Sequence, residues 1–194
     1  IKAWGGNCSN TAGNGAAGTI YMKSSAETYG KLVINNNSLV TTLPAGGGLA
    51  RTVINLPTVA ASSSLNYNAG TGKTTITSAG SFGEKYGASN AFVGMFVNPN
   101  TAQNGTLKVQ DDSMFEVTAQ TANTLTLNGN ATTVATAGNS YQLNLKLDEL
   151  KVIGNAQVEI NNGIILTNAL DITSSQVFGT GSIEAYPTTA TILN

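Results

Sequence analysis

A chain of 194 residues is long enough to bury a core of its own, as one large domain or two small ones. Charged residues make up only 10% of it and the formal net charge is −1, so there is no basic footprint for nucleic acid or for an anionic membrane surface. No stretch approaches the roughly 18 apolar residues of a membrane span, and histidine is absent, which removes the commonest general base, the usual Ser and Cys triads and most zinc chemistry.

The missing charge is replaced largely by Thr, Asn, Ser and Gly, poor helix formers that suit strands, tight turns and stacked polar surfaces. An all-β chain with almost no helix is therefore expected. Cys8 is alone, so no internal disulfide forms and it reads as a buried or incidental thiol rather than a nucleophile. The chain opens on Ile1 rather than on Met or a basic leader, which reads as a mature product or an excerpt of something longer.

Residues 5–18 (GGNCSNTAGNGAAG) form a Gly/Asn-rich leader that cannot bury side chains. Two half-buried strands follow, Thr19-Ile20-Tyr21-Met22-Lys23 and Lys31-Leu32-Val33-Ile34-Asn35, each alternating apolar and polar. The run Asn35-Asn36-Asn37 ends the second; Asn tolerates the left-handed conformation and can stack on an equivalent Asn. Residues 71–143 have longer strands with hairpin signals between them, at 92–97, 106–109, 115–117, 124–127 and 140–143. Five such strands are enough to curl into a small barrel or sandwich.

The C-terminal stretch nearly repeats itself. Leu150-Lys151-Val152 matches Leu170-Asp171-Ile172, Gln157-Val158 matches Gln176-Val177, and Ile164 matches Ile183, at separations of 19 or 20 residues. Such a period is close to one turn of a solenoid of short strands joined by corners. Gly154-Asn155, Asn161-Asn162-Gly163 and Gly179-Thr180-Gly181 are suitable corners. The expected fold is thus all-β: parallel β-helix (solenoid) rungs at 1–70 and 144–194, interrupted by a small antiparallel β-barrel or sandwich insertion at 71–143.

Three stretches, GAAGTIYMKSSAETYGKLVINN (15–36), FVGMFVNPNTAQNGTLKVQDDSMFEVTAQTANTLTLNGNATTVATAGNSYQL (92–143) and LDELKVIGNAQVEI (147–160), together resemble a module found repeatedly in very large bacterial surface and secreted proteins. The resemblance covers most of the chain, although the loop Leu43-Pro44-Ala45-Gly46-Gly47-Gly48 and Arg51 fit it less clearly. It implies β-helix architecture, export and an adhesive or scaffolding role, and it implies no catalytic residues.

Individual candidates have plain readings. Gly70-Thr71-Gly72-Lys73-Thr74 resembles the end of a phosphate-binding loop, but Tyr67 stands where the earlier Gly is required and Thr74-Thr75-Ile76-Thr77 continues as strand, so a hairpin turn is expected. Asp111-Asp112 and Asp148-Glu149 are the adjacent acidic pairs. Neighbours on a strand point to opposite faces, so neither pair converges on one catalytic atom; both read as solvated turn carboxylates, with a weak Ca²⁺ site at Asp111 and Asp112 as the alternative. Trp4, Tyr21, Tyr29, Tyr67 and Tyr86 read as core fillers or strand caps rather than a carbohydrate platform.

The expectation is accordingly an extracellular or cell-surface structural module, not an enzyme and without cofactor. It would assemble with copies of itself or with neighbouring modules through the exposed edges near Ile20, Met22, Ile192 and Leu193. Two other classes stand beside it. In one the loops at 98–105 and 118–123 bind glycans or a host receptor; in the other a β-helix enzyme degrades polysaccharide through carboxylates such as Asp111 or Asp148.

Overall fold

The computed structural model describes residues 3, 15–39, 50–56, 61–82, 90–102 and 113–185. The chain is all-β, with 53% strand against 4% helix among the described residues. In chain order the strands are β1 (Gly18–Met22), β2 (Lys31–Asn35), β3 (Thr52–Ile54), β4 (Ser62–Asn68), β5 (Lys73–Ser78), β6 (Phe96–Asn98), β7 (Phe115–Gln120), β8 (Thr124–Asn128), β9 (Gln142–Ile153), β10 (Gln157–Ile160), β11 (Gly163–Thr173), β12 (Gln176–Phe178) and β13 (Ile183–Ala185). The chain divides into two units, Ile1–Asn55 with Lys146–Asn194, and Leu56–Leu145.

In the first unit the pairing is mixed. β1 and β2 form an antiparallel hairpin, Ile20 opposite Val33 and Met22 opposite Lys31. β2 then runs parallel to the second half of β9, Lys31 beside Glu149 through Asn35 beside Ile153. A separate three-stranded sheet has the order β12-β10-β3, all parallel. β11 pairs with β9, and in its first half it runs parallel to β13.

Strand alternation explains which residues fill this unit. In β2 Leu32 and Ile34 turn inward; the same phase puts Leu150 and Val152 of β9, Val158 and Ile160 of β10, and Ile164 and Leu166 of β11 into the core. Corners recur at corresponding points. Asn37, Asn155 and Ser174, which follow β2, β9 and β11, all have left-handed backbones with φ of 52°, 61° and 51°, a conformation open to Asn and costly for most L-residues.

The second unit is an antiparallel sheet in the order β4-β5-β8-β7-β6 with the start of β9 at the far side. Its inner face comes from strict alternation: Thr74, Ile76 and Ser78 on β5, Leu125 and Leu127 on β8. Ile76, Leu125 and Leu127 join Phe92, Val97, Phe115, Val117, Tyr141 and Leu143 in one buried cluster. Phe82 meets Phe92 edge to face, ring centroids 5.3 Å apart. The helical turn Ala131–Thr133 starts at Asn130, whose side chain accepts the Thr132 N–H.

Several expectations need correction. The sheet of the second unit curls but does not close into a barrel: among the described residues its two ends meet at an isolated bridge, Ala61 opposite Ser140. This unit starts at Leu56 rather than at residue 71, because β4 pairs along β5 from Ser62 to Asn68. The strand expected at 92–97 is mostly turn, since Gly94 has φ of 86° and Met95 N–H bonds back to Phe92 O; only Phe96–Asn98 is strand. Residues 142–143 of the first expected segment and 150–152 fall on one uninterrupted strand, β9, since no turn residue separates them. Described parallel pairing extends to three strands in the sheet β12-β10-β3. The expected strand at 106–109 lies outside the described residues.

Candidate functional site

β1 ends its sheet: among the described residues no strand pairs with its outer side. Of the two residues expected at this edge, Ile20 is half-buried and Met22 is 37% exposed, while Tyr21 between them is 56% exposed. Direct cross-strand partners share a face, so Ile20 lies with Val33, and Met22 with Lys31, on the outward side. Ile192 and Leu193, the other expected edge, lie outside the described residues, as do the Ca²⁺ candidates Asp111 and Asp112. The described C-terminal strands β12 and β13 each have one partner, β10 and β11 respectively.

Charge in the first unit is spent across the ladders. Lys31 reaches Glu27 at 3.5 Å and Glu149 at 3.9 Å; Lys151 reaches Glu149 at 3.1 Å and Asp171 at 3.9 Å. One row of alternating charge therefore ties β2, β9 and β11. Exposed pairs of this kind are worth about 0–1 kcal/mol each, so they set register more than they add stability. On the three-stranded sheet Arg51 donates to Glu159 at 3.2 Å and lies over the Phe178 ring, 4.1 Å from its centroid. Hydrogen bonds from Asn161 and Arg51 hold the Glu159 carboxyl below its usual value against the opposing effect of desolvation.

Asp148 and Glu149 part company, as alternation on a strand requires. They lie within β9 rather than in a solvated turn. Glu149 faces the lysines, whereas Asp148 turns to the β1–β2 connection. Its Oδ2 accepts the Tyr29 N–H at 2.9 Å and the Gly30 N–H at 2.8 Å, and its Oδ1 accepts the Thr167 hydroxyl at 2.7 Å. Burial pushes this carboxyl up, but the bonds from Thr167, Tyr29, Gly30 and Thr28 outweigh it and leave it below the ordinary carboxylate range. Tyr29 is further held by Lys146 over its ring at 4.8 Å and by the Tyr21 hydroxyl donating to its carbonyl at 2.7 Å.

Other candidates resolve into local structure. Gly70-Thr71-Gly72-Lys73 is the β4–β5 hairpin turn: Gly72 has φ of 67°, and Asn68 Oδ1 accepts the Gly70 and Thr71 N–H groups. Thr118 to Gln120 belong to β7, and Thr121 to Asn123 form the turn into β8, closed by Thr121 and Thr124 hydroxyls 2.6 Å apart. Among the described residues no three Cys, Asp or Glu side chains gather as a metal-ligating group. Sequence reasoning missed Asp148 as a structural tie. A signal was present: the alternation Leu143, Leu145, Leu147 slips by one residue at Asp148-Glu149 before resuming at Leu150 and Val152. No protein-family model, curated protein or solved structure matches the chain.

Proposed function

We propose that the first unit is a short parallel β-coil and that the chain serves as a stacking module of an extracellular fibre or large surface adhesin. The carrying observation is register. Gln157 beside Gln176, Val158 beside Val177 and Ile164 beside Ile183 are parallel neighbours one 19-residue period apart, and Lys151 meets Asp171 across a 20-residue one. Residues 149–166 and 167–185 then read as two successive turns of one coil, with β2 and β3 contributing to the turn before. A coil of this kind is stabilised by neighbours above and below each turn.

Exposure at its ends supports the same reading. Leu150, Val152, Val158 and Ile164 are fully buried, whereas their counterparts one turn later, Leu170, Ile172, Val177 and Ile183, are half-buried; a further turn would remove that remaining exposure. An unpaired strand edge is a template for another chain, which proteins otherwise blunt with charge. Ile20 and Met22 leave β1 without such protection on its outward face. Low charge and the Thr, Asn and Gly content suit a stacked extracellular rod.

Analytical ultracentrifugation across a concentration series, with electron microscopy of the same samples, tests this. Association is expected for the unaltered chain and its loss for Ile20→Lys with Met22→Lys, at unchanged circular dichroism. A chain that stays monomeric at every concentration overturns the reading.

A further inference from the structure

We propose that Asp148 is an acid-released latch that keeps the edge strand β1 seated. One residue of β9 grips Gly30 from both sides: the Asp148 carboxylate accepts the Gly30 N–H, and the Asp148 N–H donates to Gly30 O at 2.7 Å. Gly30 in turn is pressed against β1. Its φ is 77°, and a Cβ there would lie 2.6 Å from Met22 O and 2.9 Å from the Tyr21 hydroxyl. With the Tyr21 hydroxyl bonded to Tyr29 O, residues 29 and 30 form a tight link between the latch and the last two residues of β1.

The neighbouring charges are otherwise engaged. In the turn, Glu27 accepts the Ser24 N–H at 2.6 Å and pairs with Lys31 of β2. On β9, Lys146 lies over Tyr29, Glu149 takes Lys31 and Lys151, and Lys151 also reaches Asp171 of β11. Asp148 itself is held by the N–H groups of the segment ending at Tyr29 and Gly30 and by the Thr167 hydroxyl. Protonation at Oδ1 leaves Thr167 able to rotate its hydroxyl and accept, but the amides of Tyr29 and Gly30 can only donate. Their bonds to Oδ2 fall from charge-assisted to neutral, roughly half as strong. A carboxyl lowered in the folded state keeps its contribution above the unfolded value, near 3.8, and loses it as pH falls through the lowered one. The latch is closed at neutral pH and opens in strong acid.

The inference rests on the assembly reading only for the role of β1 as a joining edge. Nuclear magnetic resonance of the whole chain tests it. The Tyr29 and Gly30 amide shifts should follow a single titration with its midpoint below 3.8. Protection of the Gly30, Met22 and Ile20 amides, corrected for intrinsic exchange, should fall about tenfold in Asp148→Asn at neutral pH and not in Glu149→Gln. Amide shifts that ignore acid, or equal protection in the unaltered and Asp148→Asn chains, overturn the latch. Sedimentation run in parallel separates the two readings: a chain that never associates yet loses β1 protection in acid upholds the latch and sinks assembly, and an associating chain whose β1 protection ignores pH does the reverse.

Discussion

Individual backbone conformations are the most constrained feature of the first unit. Gly179 has φ of 110°, and a Cβ there would collide with the Ile160 carbonyl of the strand beside it; Gly181 sits equally close to the Asn162 backbone. Gly179→Ala should therefore cost about 1–3 kcal/mol, read as a lower denaturant midpoint at unchanged slope. Ser174 is the opposite case, a left-handed residue that is not Gly, Asn or Asp. Relief of about 1 kcal/mol of strain, less the entropy glycine adds to the unfolded chain, leaves a small gain for Ser174→Gly. Ser174→Val should lower the midpoint, because a β-branched residue is an outlier in that conformation. Most corners were legible in the sequence as Asn and Gly runs at 35–37, 154–155 and 179–181. The corner at Ser174-Ser175 was not, since Ser carries no left-handed signal of its own and the position emerges only from its alignment with Asn155.

At the scale of strands, the near-repeat of the C-terminal stretch anticipated the parallel partners Gln157 and Gln176, Val158 and Val177, and Ile164 and Ile183, because stacked strands need like apolar residues at like phase. Strand length was harder to read. β9 and β11 run for 12 and 11 residues, and nothing in a period-2 pattern marks where one partner is exchanged for another. β4 was missed as part of the second unit because SSSLNYN offers a single aliphatic residue, Leu65, to signal its inner face. Parallel neighbours also differ in burial, which gives a direct comparison. Ile164, 1% exposed, and its parallel neighbour Ile183, half-buried, carry the same side chain in the same ladder. Ile164→Ala should cost about 2–5 kcal/mol and Ile183→Ala distinctly less, both read by chemical denaturation. Equal losses would mean that Ile183 is as well packed as Ile164, and would remove a main support for the proposed stacking.

For the whole molecule, connectivity sets an order of events. The first unit is discontinuous, drawn from both sides of Leu56–Leu145, and its β2–β9 pairing joins residues 118 apart, as in Lys31 beside Glu149. The second unit is a continuous stretch whose limits are held in one place, because Leu56 belongs to its buried cluster and Leu145 packs against it. Once that cluster forms, the loop the first unit must close shrinks to about 30 residues, and logarithmic loop closure makes the step easier by about 1.2 kcal/mol, roughly eightfold in rate. Sequence texture sets residues 71–143 apart from their flanks but does not carry this consequence, which depends on where the unit starts and on its ends meeting. The second unit should therefore fold first and speed the first. Leu127→Ala, which opens the buried cluster, should slow the gain of amide protection at Leu150 and Val158 in pulse-labelling experiments, although neither residue belongs to the altered unit. Protection at Leu150 and Val158 that develops before that of Leu125, or at a rate indifferent to Leu127→Ala, would show that the long closure proceeds without help from the inserted sheet.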